Sequence, residues 1–420
     1  MKTASLILVA ASLCLGLSAS AKDAVVLLPQ QQNNCLNRQV KATTAPPVKV
    51  QQKADTVSST EKLIDKIKNG GVNERPIDLV ICLDTSSSMD GLIGAAKQKI
   101  WDIVNELALA RPKPHLRVAV YAYGSPYFGA QSGFVHKSLD LTDDLDSAFK
   151  ELSALHTNGG DEYCARVIST ATNELSWSKD KNALRIIVDA GNEAVNQDPK
   201  INVFDAARSS ANHGIIVNTI FCGSPTDGDA AGWREVAQAT HGQFACIDQN
   251  NGTVEISTPF DKKLSELSSN INRTYLAYGR GGSAGAQRQM EADALSYSMG
   301  ASNSASRAYA KIAGQYRNSS WDLIDARKEK GFSLSNYGKS DLPSEMQKMN
   351  PTEQKAYLDS KAKEREAIEK QIADLNTQRA KYIQDQLKKS GKSTDKAFDT
   401  AMLRALREQA QSKGFVFETK

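Results

Sequence analysis

A chain of 420 residues leaves room for more than one domain, and 52 Lys and Arg against 48 Asp and Glu give a net charge of only +4. That balance excludes a strongly basic surface for nucleic acid or an acidic membrane. The 6% of aromatic residues fits a helix-rich protein with one moderate core. In chain order, Lys2 precedes an apolar run over 4–17, and Ala19-Ser20-Ala21 supplies small residues at the spacing a signal peptidase reads. Residues 1–21 are therefore expected to be a signal peptide, with the mature protein starting near Lys22. The run is too short to span a bilayer and no later segment is apolar for long enough, so no integral membrane segment is expected after its removal. Cys14 raises a lipoprotein alternative, but Leu13 stands where a small residue is wanted. Export is expected, to a periplasm, a cell surface or the medium.

Residues 22–75 are Gln, Asn, Pro, Thr and Lys with few large apolar side chains, a composition that cannot offset its ordering entropy. They predict a tether, with a short helix at Leu63, Ile64 and Ile67 stopped by Gly70-Gly71. Over 76–279 apolar strands alternate with helical patterns, which predicts an α/β domain with a doubly wound, mostly parallel sheet. Strands are predicted at 77–83, 116–123, 134–139, 184–188, 215–222 and 243–247. Helices are predicted over 92–107, 143–155, from Glu162 toward Trp177, 202–212, 229–241 and 260–276. A Gly- and Ser-rich stretch at 279–285 reads as a hinge opening a segment over 280–345, helical from about 287 to 330 with a break near Gly300. The remainder, 346–420, predicts a charged helical hairpin from helices at 351–389 and 394–413. Arg365 and Arg379 fall on its apolar stripe and spoil a long heptad repeat, so a hairpin packed on itself or on its own domain is expected. Such an all-α appendage could also fold over the sheet as a latch.

The first strand ends Leu83-Asp84-Thr85-Ser86-Ser87-Ser88. A carboxylate followed by alternate hydroxyls, where a buried strand bends into a helix, is a set of hard oxygen donors suited to Mg²⁺, with Mn²⁺ and Ca²⁺ as alternatives. A serine-rich turn that merely caps the helix has the same pattern. Asp-x-Ser-x-Ser after an apolar strand, with the strand and helix order over 76–279, resembles the metal-ion-dependent adhesion site of von Willebrand factor type A domains. The resemblance implies three loops at the carboxyl ends of the strands converging on one cation. Asp84 would hold a metal-bound water, Ser86 and Ser88 would bind the ion, and a carboxylate from a partner protein would complete the shell. In the second loop the family usually has threonine after paired glycines, whereas Gly159-Gly160 is followed by Asp161. That residue is expected either as a ligand that partly neutralises the ion together with Glu162, or as a helix cap. In the third loop Asp189 aligns with the family's threonine and Ala190 with its aspartate. Asp189 then reaches the ion only if the strand end bends, and Asn192 or Glu193 could substitute. The implied metal set is Asp84, Ser86, Ser88, Asp161 and Asp189. The stretches 191–193, 217–223, 231–234, 247–249 and 341–358 resemble a subgroup of exported bacterial proteins with a type A domain and a charged helical tail.

No enzyme signature competes. The histidines, His115, His136, His156, His213 and His241, make no His-Glu-x-x-His pair, there is no Gly-x-Ser-x-Gly elbow, and Gly391-Lys392-Ser393 reads as a turn between helices. After removal of Cys14 an odd set remains: Cys35, Cys82, Cys164, Cys222 and Cys246. Cys82 is expected to be a small buried residue, and Cys222 with Cys246, on neighbouring strands, to form a disulfide. The expected function is an exported adhesion or scaffold protein, not an enzyme, that docks a partner's exposed acidic side chain on a divalent ion. The alternative is a metal-free structural spacer whose helical tail mediates interaction. The oligomeric state stays open.

Overall fold

Aliphatic runs build a six-stranded sheet in the computed structural model, which describes residues 75–247, 256–389 and 398–417. The expected signal peptide, the tether with its short helix and the turn at 391–393 lie outside the described residues. The strands are β1 (Arg75–Asp84), β2 (Pro114–Tyr123), β3 (Val135–Thr142), β4 (Leu184–Gly191), β5 (Ile216–Phe221) and β6 (Phe244–Cys246). Their order is β3-β2-β1-β4-β5-β6, parallel throughout except for β3, which runs antiparallel to β2 at one edge. β1 is buried without a break from Ile77 to Asp84, as a central strand covered on both faces requires.

Alternation along β1 sorts the two cores. Ile77, Leu79 and Ile81 join Trp101 and Phe149 from α1 (Ile93–Ala108) and α2 (Leu145–Ala154). Val80 and Cys82 join Ile168, Val203 and Trp233 from α3 (Cys164–Glu174), α4 (Val203–Asn212) and α5 (Ala230–Ala239). Two of these helices start where the sequence offers a cap. Asp144 accepts hydrogen bonds from the backbone N–H groups of Asp146 and Ser147, and Asn202 from those of Phe204 and Asp205.

The helical region consists of α6 (Asp261–Asn272), α7 (Gly282–Ser298), α8 (Ala301–Ile312), the single turn α9 (Leu323–Ala326), α10 (Pro351–Lys389) and α11 (Phe398–Ser412). The expected hinge at 279–285 is instead the start of α7. It is held because that helix packs on α2, with Arg288 bonded to Asp144 at 3.2 Å and Lys150 to Glu291 at 2.8 Å. α6 packs on α8 and α10 in an apolar cluster of its own, through Leu264, Leu267, Ile271, Ala305, Ala308 and Ile372. The place beside β6 and α1 is taken by α11, whose Met402, Leu406 and Ala410, with Phe415 after it, enter the same core as β1. Of the two arrangements open for the charged C-terminal helices, packing on themselves or on the domain, the structure has the second. No described helix is long and apolar enough to cross a membrane.

Buried charges fasten this jacket. Arg307 of α8, 1% exposed, bonds Asp146 of α2 at 2.6 Å and Asp293 of α7 at 2.8 Å, and the Tyr316 hydroxyl donates to Asp146 at 2.7 Å. Arg365 of α10 bonds Asp322 at 2.7 Å and Thr274 at 2.9 Å, and lies over the Tyr275 ring at 3.9 Å. Further ties fall at the amino-terminal ends of the strands: the Leu116 N–H donates to Gln315, Arg75 to Lys413 O, and Arg111 and Val416 exchange backbone bonds. These ties lie at the end of the sheet opposite the loops that follow β1 and β4, not at a latch over them.

Replacing Arg307 with Ala leaves the buried Asp146 with only the Tyr316 hydroxyl, while Asp293 keeps Lys311 and Asn272, and should lower stability by about 3 kcal/mol. Arg208→Ala, which removes an exposed pair with Asp205, should change stability little. Urea denaturation midpoints of the two variants check the contrast.

Candidate functional site

β1 and β4 are neighbours whose connections leave on opposite sides, and in open α/β sheets the crevice at the carboxyl end of such a switch point receives ligands. Asp84 is the last residue of β1. The bend after it is pinned by Thr85, whose N–H and hydroxyl both donate to Tyr123 O, at 2.8 and 2.7 Å. Asp84 is 1% exposed. Its Oδ1 accepts the Ser86 N–H at 2.8 Å, while its buried Oδ2 has no partner. The Oγ atoms of Ser86 and Ser88 stand 2.9 Å apart. Ser86 precedes the 3₁₀ turn Ser87–Met89 without a side-chain capping bond, and α1 likewise begins without one. The capping alternative therefore does not account for these hydroxyls.

The second loop is locked against the first. The Asn158 N–H donates to Thr85 O at 2.7 Å, and a Cβ at Gly160 would run into Gly124 O. Gly124 has φ +84°, and a Cβ there would lie 2.7 Å from Asp84 Oδ1, so both positions need glycine for the loops to close around the carboxylate. Asp161 is exposed, and α3 begins after Tyr163 with no side-chain cap, so Asp161 does not cap that helix. The half-buried carboxylate of this loop is Glu162, whose charged form the Ser86 hydroxyl favours.

In the third loop Asp189 pairs in register with Cys82, so it sits two residues, roughly 7 Å along the strand, short of the level of Asp84. It is fully buried, its Oδ2 accepts the Cys164 thiol at 3.0 Å, and its Oδ1 has no partner, while the nearby Tyr123 hydroxyl donates to Ala190 O at 3.3 Å. β4 does not bend it up to the rim. The loop's oxygen at the rim comes from Asn192, whose Oδ1 accepts from Ser88 Oγ at 2.9 Å while its Nδ2 donates to Ser88 O at 3.0 Å. The sequence offered Asn192 only as a substitute and missed Cys164 as the partner of Asp189. The signal was the register that brings the ends of β1, β2 and β4 level.

Burial pushes both Asp84 and Asp189 up to about 7, with Glu162 and Glu193 adding to the rise at Asp84 and Asp84 to the rise at Asp189. Glu162 is held above the usual carboxylate range by burial and then by Glu193. Among the described residues no three His, Cys, Asp or Glu side chains are grouped to hold a metal, so an ion would depend on the serine oxygens. The residues fit one. Hydroxyl oxygens 2.9 Å apart match the edge of about 3.0 Å of an octahedron with bonds of about 2.1 Å, which favours Mg²⁺ over the larger Ca²⁺. A buried carboxylate oxygen without a partner calls for a water or a cation. An all-oxygen donor set disfavours zinc.

Cys222 and Cys246 are not joined by a disulfide. Their strands are neighbours, but Cys222 faces the α1 side of the sheet and Cys246 the α3 side.

No family model matches the chain, and no curated protein does. Among solved structures, the VWA domain of SpRpn10 is similar over 41% of this chain and 87% of its own, at 16% identity and a TM-score of 0.33. An aerotolerance-related membrane protein from Bacteroides fragilis is similar over 42% of this chain and 93% of its own, at 20% identity and a TM-score of 0.31. Proximal thread matrix protein 1 from the mussel byssus, with a zinc-occupied MIDAS motif, is similar over 46% of this chain and 47% of its own, at 12% identity and a TM-score of 0.31. These likenesses are distant, and the fold rests on strand order and register.

Raised carboxyl pKa values mean that the folded chain keeps protons the unfolded chain releases between about pH 4 and 7, so stability falls as pH rises through 7. In EDTA the protein should melt at a lower temperature at pH 8 than at pH 6, and Mg²⁺ should raise the melting temperature more at pH 8. Scanning calorimetry at both pH values, with and without Mg²⁺, checks this.

Proposed function

We propose that this chain is an exported protein-binding protein, an adhesion or scaffold protein and not an enzyme. In this reading its α/β domain is of the von Willebrand type A kind and presents a divalent cation, Mg²⁺ foremost, to an acidic side chain of a partner protein. One observation carries the reading: two hydroxyls 2.9 Å apart beside a buried Asp84 oxygen that lacks a partner. Ser86 and Ser88 would hold the ion together with Asp84, Asn192 would fix Ser88, and Asp189 would supply buried negative charge beneath. The bound ion would supply the positive charge that receives the partner's carboxylate. Export is read from the sequence of residues 1–21.

The same rim weighs against docking an acid, which leaves a second reading, a metal-free spacer whose helical tail mediates interaction. Glu162 and Glu193 add negative charge beside Asp84, and that charge opposes an incoming acid.

Calorimetric titration with Mg²⁺ and Mn²⁺ separates the two. The cation-docking reading expects one site in the wild type and affinity about tenfold or more weaker in Ser86→Ala. No binding by the wild type would favour the spacer, and binding unchanged in Ser86→Ala would place the ion elsewhere.

A further inference from the structure

The loops at the carboxyl ends of the parallel strands share one sign of charge. Residues 85–92, 124–134, 156–163, 191–202 and 222–229 hold seven Asp and Glu against one Lys and no Arg, in a chain whose net charge is +4. The topology gathers them at one edge of the sheet: four leave the ends of β1, β2, β4 and β5, and 156–163 is bonded to the first through Asn158 and Thr85 O. Asp198 is spent on Arg166, while Asp90, Asp161, Asp227 and Asp229 are exposed. Charge alone does not make a site, but two further features lie at this edge. Asp84 Oδ2 is buried without a partner. Tyr127 is 87% exposed, the most exposed large apolar side chain among the described residues. It is displayed on a backbone that is not free to move. Its N–H donates to Ser125 Oγ at 3.4 Å within the turn Pro126–Phe128, the Ser132 hydroxyl donates to Phe128 O at 2.7 Å, the Gly124 N–H donates to Phe134 O at 3.1 Å, and the Phe128 ring stacks on His136 at 5.2 Å. The base of this lobe is Gly124, which closes on Asp84 and Ser86, and a Cβ at Gly160 would lie 2.9 Å from Pro126 Cδ. Tyr127 and Asp161 are thus each one residue from the place where the lobe and the second loop touch.

From this placement we infer that the carboxyl-end face docks a basic segment of a partner protein, with an arginine of that segment laid over the Tyr127 ring and paired with Asp161. A guanidinium stacks on an aromatic face and bonds a carboxylate with the same planar group, which an ammonium does less well. A tyrosine held on a bonded backbone has only two side-chain torsions to lose on docking, the economy that makes this residue a frequent interface anchor. Nucleic acid and anionic lipid carry the wrong sign for the face, and complementary charge sets which partners approach it. The inference goes beyond the cation-docking reading and stands on the loops and the ring, not on a bound ion. If an ion is held beside Asp84, the acid that reaches it belongs to a partner whose surrounding surface is basic, and that surface offsets the repulsion of the rim.

The test uses the full chain in EDTA, its Tyr127→Ala, Tyr127→Phe and Asp161→Asn variants, and fluorescent peptides of equal length in which Gly alternates with Arg, with Lys or with Glu. Fluorescence anisotropy should show the wild type binding the Arg peptide, the Lys peptide about threefold more weakly and the Glu peptide not at all. Raising the ionic strength from about 0.05 to about 0.5 M should weaken the Arg peptide by about tenfold or more. Tyr127→Ala should weaken it by about threefold or more and erase the preference for Arg over Lys, Tyr127→Phe should keep both, and Asp161→Asn should weaken it by about threefold. No binding of the Arg peptide by the wild type at low salt, or binding and preference unchanged in Tyr127→Ala, overturns the inference whatever Mg²⁺ does. A wild type that binds the Arg peptide in this pattern but takes no Mg²⁺ ends the cation-docking reading and leaves this one standing.

Discussion

A carboxylate buried at the end of a central strand, with one oxygen left without a partner, is the constraint around which the rim of this protein is arranged. Burial disfavours the charge on Asp84, Asp84 in turn disfavours the charge on the buried Asp189, and the fold accepts both. Much of the local structure then has a reason. Thr85 spends its N–H and its hydroxyl on Tyr123 O to hold the bend, Gly124 gives up a side chain so that the β2 loop can close on Asp84, and Asn192 crosses the crevice to hold Ser88. A helix cap needs none of this apparatus. A cation at the switch point would give the unpartnered oxygen an electrostatic partner.

The helical jacket obeys the same rule with the opposite solution. Asp146, Asp293 and Asp322 are also sequestered carboxylates, but each meets a guanidinium: Arg307 for the first two and Arg365 for the third. Removing one partner of such a buried pair is far more damaging than the pair is stabilising, so these contacts fix where the jacket docks more than they raise overall stability. The near-neutral net charge of the chain hides this division. Inside the jacket charges are paired, whereas at the end of β1 Glu162 and Glu193 act on Asp84, and Asp84 acts on Asp189 beneath the rim.

Patterns of period two and 3.6 carried the strand and helix order, because a doubly covered sheet writes continuous aliphatic runs and its helices write apolar stripes. The triplet Asp84, Ser86 and Ser88 was readable for the same local reason: its geometry is set within five residues by the strand end and the turn after it. What was not readable depends on contacts distant in sequence. How the second loop closes on the first depends on the packing of Gly160 on Gly124, 36 residues away in the chain. Neighbouring strands suggested a Cys222–Cys246 bond, but the face each residue takes depends on register, which adjacency alone does not give. Arg365 looked like a flaw in a coiled-coil stripe and is the anchor of α10, a role visible only once Asp322 and Tyr275 are beside it.

The central claim, that the rim of β1 and β4 is a cation site built on serine oxygens, is tested most directly by anomalous diffraction from crystals grown with Mn²⁺. The account predicts one strong peak at about 2.1–2.3 Å from both Ser86 Oγ and Ser88 Oγ, on the side facing Asp84 Oδ2. A peak elsewhere on the surface, or an ordered rim with no peak while Ser86 and Ser88 keep their mutual bond, would contradict it.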